Sequence, residues 1–221
     1  MAKGLSRFFP ATDLTRVADA VRSAESKTSG EIVPYVVELS DDYEEAIWQA
    51  GLFSALLILI PYAIIHAVTE TWLPWNVGEI TLSALVVSSL AMMMLWFFPQ
   101  SRLVFTSKEK IERRVGQKAR EAFLAEEVFN TRERTGILIY VSLLEHQVVV
   151  LGDSGINAKV EKSAWEEITR YITSGMKSGK PAEGLIRAIQ GCGTLLERHG
   201  VTHRADDRDE LSDRLRTGAA Q

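Results

Sequence analysis

The chain has 221 residues, of which 46% are apolar, and its formal net charge is −4 at pH 7. This length allows one or two domains, and the mild negative charge gives no basis for a nucleic-acid partner. The single cysteine, Cys192, excludes an intrachain disulfide and a metal site built from several cysteines. The N-terminal segment lacks the apolar core of a cleavable signal peptide, so we expect none.

The chain begins with a predicted helix and a predicted strand. Apolar residues at helical spacing follow Thr12 and Asp13, either of which can cap the helix, and Ser29-Gly30 is expected to end it. The β-branched run Glu31–Glu38 then predicts a strand. Pro34 has no N–H to donate, which favours an edge or bulged position for this strand.

Two long apolar runs follow, Ala46–Thr69 and Ile80–Ser101, and neither contains lysine or arginine. A helix needs roughly 20 apolar residues to cross a bilayer core of about 30 Å. The runs therefore predict a transmembrane hairpin with spans near residues 47–68 and 80–99. The alternative is a pair of buried core helices in a soluble protein, but neither run shows the polar stripe that such helices carry.

The residues that flank the spans indicate their ends and their orientation. We expect four tryptophans to lie at the membrane interfaces, namely Trp48, Trp72, Trp75 and Trp96. All 25 lysines and arginines lie at or before Lys27 or at or after Arg102. The positive-inside rule then predicts that both termini of this two-span protein lie in the cytoplasm.

After the hairpin the sequence predicts one helix, two strands and two more helices. The helix begins at the capping box of Thr106 and Glu109, and the strands are Gly136–Ser142 and Gln147–Leu151. From Gly200 onward the chain is polar and is expected to be a mobile tail. The predicted organisation is a domain in two parts, 1–45 and 102–199, interrupted by the hairpin at 46–101 and followed by the tail at 200–221.

Three strings in these elements carry a resemblance to a known family. They are Ser29–Val33 (SGEIV), Thr135–Val141 (TGILIYV) and Val148–Asn157 (VVVLGDSGIN). The chain resembles the TPM domain family in these strings and in the order of its elements. The resemblance implies an α/β sandwich, a small sheet with helices packed on it, into which the two-helix hairpin is inserted after the first strand.

The resemblance also implies a candidate site. Some members of the family are similar to acid phosphatases or bind a divalent metal in an acidic pocket. Matching that pocket to this chain gives Asp153, with Asp41 and Asp42 as candidate neighbours, and calcium or magnesium as the cation that such oxygen ligands prefer. The alternative is that Asp153 and Ser154 only shape a turn.

Other chemistry-bearing residues add little to an enzyme hypothesis. His66 is expected at a membrane interface, His146 in an exposed turn, and His199 with His203 could bind a metal only if a helix continued past Gly200. Cys192 is expected to be a core residue. The sequence contains neither a phosphate-binding GxxxxGK[S/T] loop nor a Cys-x5-Arg motif.

Other members of the TPM domain family act as accessory factors in assembling or repairing membrane complexes, and the tail resembles that of bacterial membrane-bound members. The resemblance therefore implies a TPM-domain protein, anchored in the inner (cell) membrane, that acts as a non-catalytic accessory or interaction module for membrane protein complexes. Its expected partners are the lipid bilayer and other membrane proteins, and a homo-oligomer is left open because small residues in both spans allow close packing. The alternative is a metal-dependent phosphatase that acts through an acidic pocket near Asp153. A third, weaker option is a subunit of an oligomeric channel or transporter.

Overall fold

The structure, a computed structural model, describes residues 8–68, 75–203 and 210–218. The chain divides into two compact units. One unit contains the chain up to Asp41 and from Glu112 onward, and the other contains Asp42–Ile111. The first unit is therefore formed by two separate parts of the chain. The boundaries predicted from the sequence, after residues 45 and 101, stay a prediction.

The elements appear in the following chain order: α1 (Ala11–Glu25), β1 (Ile32–Val37), α2 (Glu44–Val68), α3 (Val77–Phe97), a 3-10 helix (Pro99–Phe105), α4 (Lys108–Ala125), β2 (Ile137–Ser142), β3 (Gln147–Gly152), the one-turn α5 (Ser154–Asn157), α6 (Lys162–Lys177), α7 (Pro181–Arg198) and β4 (Arg216–Gly218). The helices and strands predicted from the sequence are all present, with ends that differ by a few residues.

The first unit is built on a four-stranded mixed sheet with the order β3-β2-β1-β4. Strands β1 and β2 are parallel, and their register pairs Ile32 with Ile137 and Val37 with Ser142. Strand β4 is parallel to β1, whereas β3 is antiparallel to β2 and pairs Gly152 with Ile137. The carboxyl ends of β1, β2 and β4 therefore lie at the same end of the sheet, and the carboxyl end of β3 lies at the opposite end.

One face of this sheet forms the main apolar core. Alternate residues of β1 and β2, such as Val36 and Ile139, are completely buried there. They form one cluster with apolar side chains of α1, α6 and α7, which include Val21, Ile172 and Leu185. The apolar faces of these helices and strands thus pack into one core, and the resulting architecture is the α/β sandwich that the resemblance implies.

The other face of the sheet is covered by the carboxyl-terminal part of α4. Val115, Ala119 and Ala122 recur at helical spacing and are buried, while the intervening positions are polar. Two of the three buried residues are alanines, and one of them, Ala122, lines a cavity between this helix and the sheet.

Two expectations about the sheet are wrong. Strand β1 lies inside the sheet, because β4 pairs with its outer side. That pairing covers only Tyr35–Val37, so Pro34 lies beyond the β4 ladder and its missing N–H removes no bond there. The tail is also not simply mobile, because its residues Arg216–Gly218 form β4.

The tail is held by polar contacts and by Leu215, which packs against the main core cluster. The main-chain N–H of Glu210 donates to Glu31 Oε1 at 3.0 Å, and the guanidinium of Arg22 lies 3.2 Å from Asp213 Oδ2. Arg216 forms an ion pair with Glu126. A polar tail can therefore order on a sheet edge that it could not form by itself.

The second unit contains the two apolar helices. They have 25 and 21 residues and mean hydropathies of 2.1 and 2.0, and only 6% and 11% of their most apolar windows are buried. By length and composition, both are capable of crossing a membrane. The helices contact each other through small residues, because Ala46 and Ala50 of α2 pack against Leu95 of α3. Gly51 lies so close to α3 that a Cβ there would be 2.8 Å from Met92 Sδ.

Candidate functional site: a cavity at the carboxyl ends of the parallel strands

Asp153 lies directly after β3 and caps the one-turn helix α5. Its Oδ1 accepts a hydrogen bond of 2.6 Å from the main-chain N–H of Ser154. Its Oδ2 lies 3.0 Å from Nε of Arg134, in an ion pair whose carboxylate is only 7% exposed. Oδ1 therefore makes the capping bond of an N-cap aspartate, whereas the buried Oδ2 is close to Arg134 but accepts no well-aligned hydrogen bond among the described residues.

The turn after Asp153 is packed tightly against the loop that precedes β2. The N–H of Gly155 donates to the carbonyl of Arg134 at 2.9 Å. A Cβ at Gly155 would lie 2.3 Å from the carbonyl oxygen of Glu133, so a side chain has no room at this position. The Gly-Asp-Ser-Gly string therefore allows two main-chain segments to pack closely against each other.

The structure does not bring Asp41 together with Asp153. Asp41 follows the carboxyl end of β1, whereas Asp153 follows β3, which runs antiparallel to β2. Asp153 thus lies at the opposite end of the strands. A strand of six residues separates these two ends by about 20 Å. Asp41 instead forms an ion pair of 2.9 Å with Arg114, and Asp42 belongs to the other unit. The acidic pocket predicted from the sequence is not assembled from these three residues.

Within residues 8–68, 75–203 and 210–218, the structure contains no group of three histidine, cysteine or acidic side chains that could hold a metal ion. The divalent cation expected from the resemblance remains a prediction. His146 is exposed in the turn between β2 and β3, and His199 follows the end of α7, with Nδ1 2.8 Å from the carbonyl of Leu195. His199 and His203 therefore do not share a helical face.

The tryptophans expected at membrane interfaces mark the ends of the apolar helices. Trp48 is in the second turn of α2, Trp75 precedes α3 and Trp96 is near its end, and these side chains are 71%, 58% and 64% exposed. Trp72 lies outside the described residues. A helix rise of 1.5 Å per residue gives the 21 residues of α3 a length of about 32 Å, which matches a bilayer core of about 30 Å.

A cavity of about 230 Å³, lined by both polar and apolar residues, lies where the parallel strands end, between the sheet and α4. Ligands of open α/β sheets commonly bind outside the carboxyl ends of the strands. The wall residues that matter for its chemistry are Tyr35, Ser40, Lys118, Glu121, Ala122, Ala125, Tyr140 and Gly218. The first unit supplies all of them.

A chain of hydroxyl groups leads from this cavity to a buried carboxylate. The hydroxyls of Tyr140 and Ser40 are 3.1 Å apart, and Ser40 donates to Ser142 Oγ at 3.0 Å. Ser142 in turn donates to the carboxylate of Glu145, which also accepts from the main-chain N–H of Ser40 at 2.9 Å. These four residues, here named the hydroxyl chain, are buried.

The aromatic wall of the cavity is the stacked pair Tyr35 and Tyr140, whose ring centroids are 5.7 Å apart with an angle of 11° between the rings. Burial disfavours ionisation and raises the pKa of Tyr140 to about 12, and the pKa of Tyr35 is also raised, chiefly by burial. Both tyrosines are therefore neutral hydroxyl groups at physiological pH.

The helical wall carries one cation and one anion. Lys118 Nζ lies 3.0 Å from Glu121 Oε2, one helical turn further along α4. The hydrogen bond from Lys118, followed by that from Gln117, lowers the pKa of the Glu121 carboxyl. The two charges compensate each other, so this wall has no net charge.

Sequence reasoning missed this cavity because its parts are distant along the chain. Ser40 lies three residues after the end of β1, Ser142 ends β2 and Gly218 ends β4. Polar residues after two consecutive strands are a usable signal. Their meeting depends on the parallel pairing of those strands and on β4, which has no apolar pattern of its own.

With this geometry established, comparison with known proteins identifies the class of domain. Residues 101–195 match the family described as the TPM domain, so this part of the chain is a TPM domain. The structure is also similar to the NMR structure of the BA42 protein from the psychrophilic bacterium Bizionia argentinensis, with a TM-score of 0.58, 21% sequence identity and coverage of 96% of each chain. At this identity the likeness shows the fold alone. A comparison with curated proteins finds no match.

Proposed function

We propose that the chain is a membrane-anchored TPM-domain protein that acts as a non-catalytic accessory or interaction module for membrane protein complexes. The observation that carries the proposal is the exposure of α2 and α3, whose apolar windows are only 6% and 11% buried. An apolar surface of this extent is unfavourable in water, and lipid would cover it. The hairpin is the expected membrane anchor.

The expected location is the inner membrane, with both flanks of the hairpin on the cytoplasmic side. The distribution of the 25 lysines and arginines supports this orientation, because none occurs between Lys27 and Arg102. Self-association of the spans and contact with other membrane proteins are the partnerships that this anchor would allow.

The environment of Asp153 supports an accessory role over catalysis. A metal-dependent phosphatase would use this carboxylate as a metal ligand, and the ligand would have to exchange Arg134 for the cation. The capping bond to Ser154 and the ion pair to Arg134 instead suit a residue that fixes a turn. Arg134 lies beside the carboxylate that the catalytic alternative requires, so that alternative has a direct test.

The test is hydrolysis of p-nitrophenyl phosphate by the full-length protein in detergent, with magnesium, calcium or EDTA. We expect the wild type, Asp153→Asn and the exposed control Asp19→Asn to show no metal-dependent turnover above a mock purification. Metal-dependent turnover that persists in Asp19→Asn and disappears in Asp153→Asn, with unchanged circular dichroism, would replace the accessory role with the phosphatase.

A second measurement addresses the accessory role itself. We expect the chain in mildly solubilised membranes to migrate on a native gel in a larger complex than the purified chain does in the same detergent. Equal migration of the two samples would contradict a stable association with other membrane proteins.

A further inference from the structure

The cavity at the carboxyl ends of the parallel strands plays no part in the proposed accessory role. Two buried polar residues, Ser40 and Tyr140, nevertheless form one side of it, and a helix with small residues forms another. The hydroxyl chain connects these two residues to Ser142 and Glu145, which do not line the cavity. Buried polar groups are costly unless each is satisfied. The direction of the hydrogen bonds in the hydroxyl chain therefore decides which kind of ligand group Tyr140 can bind, while Lys118 and Tyr35 supply hydrogen-bond donors elsewhere in the wall.

An ionised carboxylate only accepts hydrogen bonds, and each hydroxyl group has one hydrogen to donate. Ser142 uses its hydrogen on Glu145, so the bond between Ser40 and Ser142 must be donated by Ser40. The hydrogen of Ser40 is then used, and the bond between Ser40 and Tyr140 must be donated by the tyrosine. Tyr140 consequently offers the cavity an acceptor and no donor.

The size and the charge of the cavity restrict the ligand further. An apolar cavity of about 150 Å³ holds a benzene molecule, so the volume of about 230 Å³ suits one ring with one or two small substituents. The side chains of Ala122 and Ala125 leave room for the ring opposite the tyrosines. Lys118 and Glu121 neutralise each other at 3.0 Å, which disfavours a ligand with a net charge.

We propose that this cavity binds a small uncharged ring compound that carries a hydrogen-bond donor, of the phenol type, and that the donor group binds Tyr140 Oη. The hydroxyl chain holds Tyr140 in its accepting orientation. A ring compound that can only accept hydrogen bonds leaves the tyrosine oxygen unpaired and binds more weakly.

The test uses a matched pair of probes, 4-fluorophenol and 4-fluoroanisole, which differ in whether the oxygen carries a hydrogen. Binding to the full-length protein in micelles is followed by ¹⁹F NMR titration. Partition into the micelle is subtracted with a variant whose cavity is filled, Ala122→Leu, at the same detergent concentration. Ala125→Leu replaces that variant if its circular dichroism differs from that of the wild type. We expect 4-fluorophenol to bind about tenfold more tightly than 4-fluoroanisole, the ratio that one hydrogen bond provides.

The variant Ser40→Ala examines the hydroxyl chain directly. Without Ser40 the Tyr140 hydrogen is released and can point into the cavity, so 4-fluoroanisole gains a donor. We expect the preference for 4-fluorophenol to fall from about tenfold to less than threefold, whereas the exposed control Ser163→Ala keeps the wild-type preference. A purely structural role of Ser40 would weaken both probes equally.

Three results would overturn the proposal. The first is no difference between the wild type and the filled-cavity variants for either probe. The second is equal affinity of the wild type for the two probes, which would remove the donor requirement. The third is tighter binding of 4-fluorobenzoate than of 4-fluorophenol, which would assign the cavity to an anion held by Lys118.

Discussion

The guanidinium of Arg102 donates a hydrogen bond of 2.6 Å to the main-chain oxygen of Asp42, which lies just before α2. The same side chain donates to the carbonyls of Leu95 at 3.0 Å and Trp96 at 3.3 Å. These carbonyls belong to the last turn of α3, where main-chain acceptors have no partner within the helix. Arg102 is only 8% exposed. One buried arginine therefore joins the two ends of the hairpin.

We expect Arg102→Ala to destabilise the hairpin, because it leaves three carbonyl groups without their charged donor. The expected loss is about 1–3 kcal/mol, and Arg102→Lys should recover only part of it because an ammonium cannot reach all three acceptors. The measurement is unfolding of the full chain in mixed micelles by circular dichroism. Stability of Arg102→Ala equal to that of the exposed control Arg113→Ala would contradict this role.

Asp153 and Arg134 should behave as an energetically coupled pair. We expect Arg134→Ala and Asp153→Asn each to lower the free energy of unfolding, and the double variant to lose less than the sum of the two. The expected coupling is about 0.5–1 kcal/mol, since Arg134 is half exposed and solvent screens the pair. The measurement is a double-mutant cycle by urea denaturation. Additive losses would show that the ion pair contributes nothing.

Local patterns in the sequence predict most of the elements. The hairpin follows from two apolar runs of membrane-spanning length, and β2 follows from the β-branched and aromatic run Ile137–Ser142. Local patterns do not contain the register between strands. The expected meeting of Asp41 and Asp153 depended on that register, and the antiparallel pairing of β3 places the two residues at opposite ends of the strands.

The tail and the cavity are hidden in the sequence for the same reason. Strand β4 is the short polar string Arg216–Gly218, and it pairs with β1 although it has no apolar alternation. Gly218 then contributes to the cavity wall, where any Cβ would lie 2.5 Å from the hydroxyl of Tyr35. Contacts between residues far apart in the chain define both features.

The crossing of α6 and α7 depends on two glycines. A Cβ at Gly175 would lie 2.6 Å from Gly184 Cα, so the main chains meet there directly. We expect Gly175→Ala to lower stability by about 1–3 kcal/mol because the main chain must move apart. The matched control is Gly116→Ala in α4, where the nearest atom would be the end of Arg120 at 3.7 Å.

Gly116→Ala should instead raise stability by up to about 1 kcal/mol through helix propensity. Urea denaturation of the two variants side by side checks the pair of predictions. Equal effects of the two substitutions would contradict the close contact between α6 and α7.

Alkaline pH should destabilise the domain through Tyr140. The pKa of this tyrosine is raised to about 12 in the folded protein by burial, against about 10 in the unfolded chain. Folding favours the neutral hydroxyl, so the contribution of Tyr140 to the free energy of unfolding is complete below pH 10 and is lost as the pH rises toward 12. We expect a decrease of at most about 1.4 kcal/mol per pH unit across this window.

The check on that window is absorbance titration of the tyrosines together with urea denaturation between pH 9 and 12. Tyr140→Phe should lack the most alkaline titration step and show a smaller decrease in stability over the same range. An identical pH dependence of the wild type and Tyr140→Phe would assign the alkaline loss to other groups.

The most direct test of the membrane anchor is labelling of single cysteines by a membrane-impermeant maleimide in intact and permeabilised spheroplasts. The sites are Val77→Cys, at the exposed start of α3, and Lys108→Cys, at the start of α4. The native Cys192 does not compete, because it is completely buried and burial raises its thiol pKa to about 12. We predict labelling of Val77→Cys in intact spheroplasts and of Lys108→Cys only after permeabilisation. Labelling of both sites only after permeabilisation, with extraction of the protein by alkaline carbonate, would contradict a membrane-spanning hairpin.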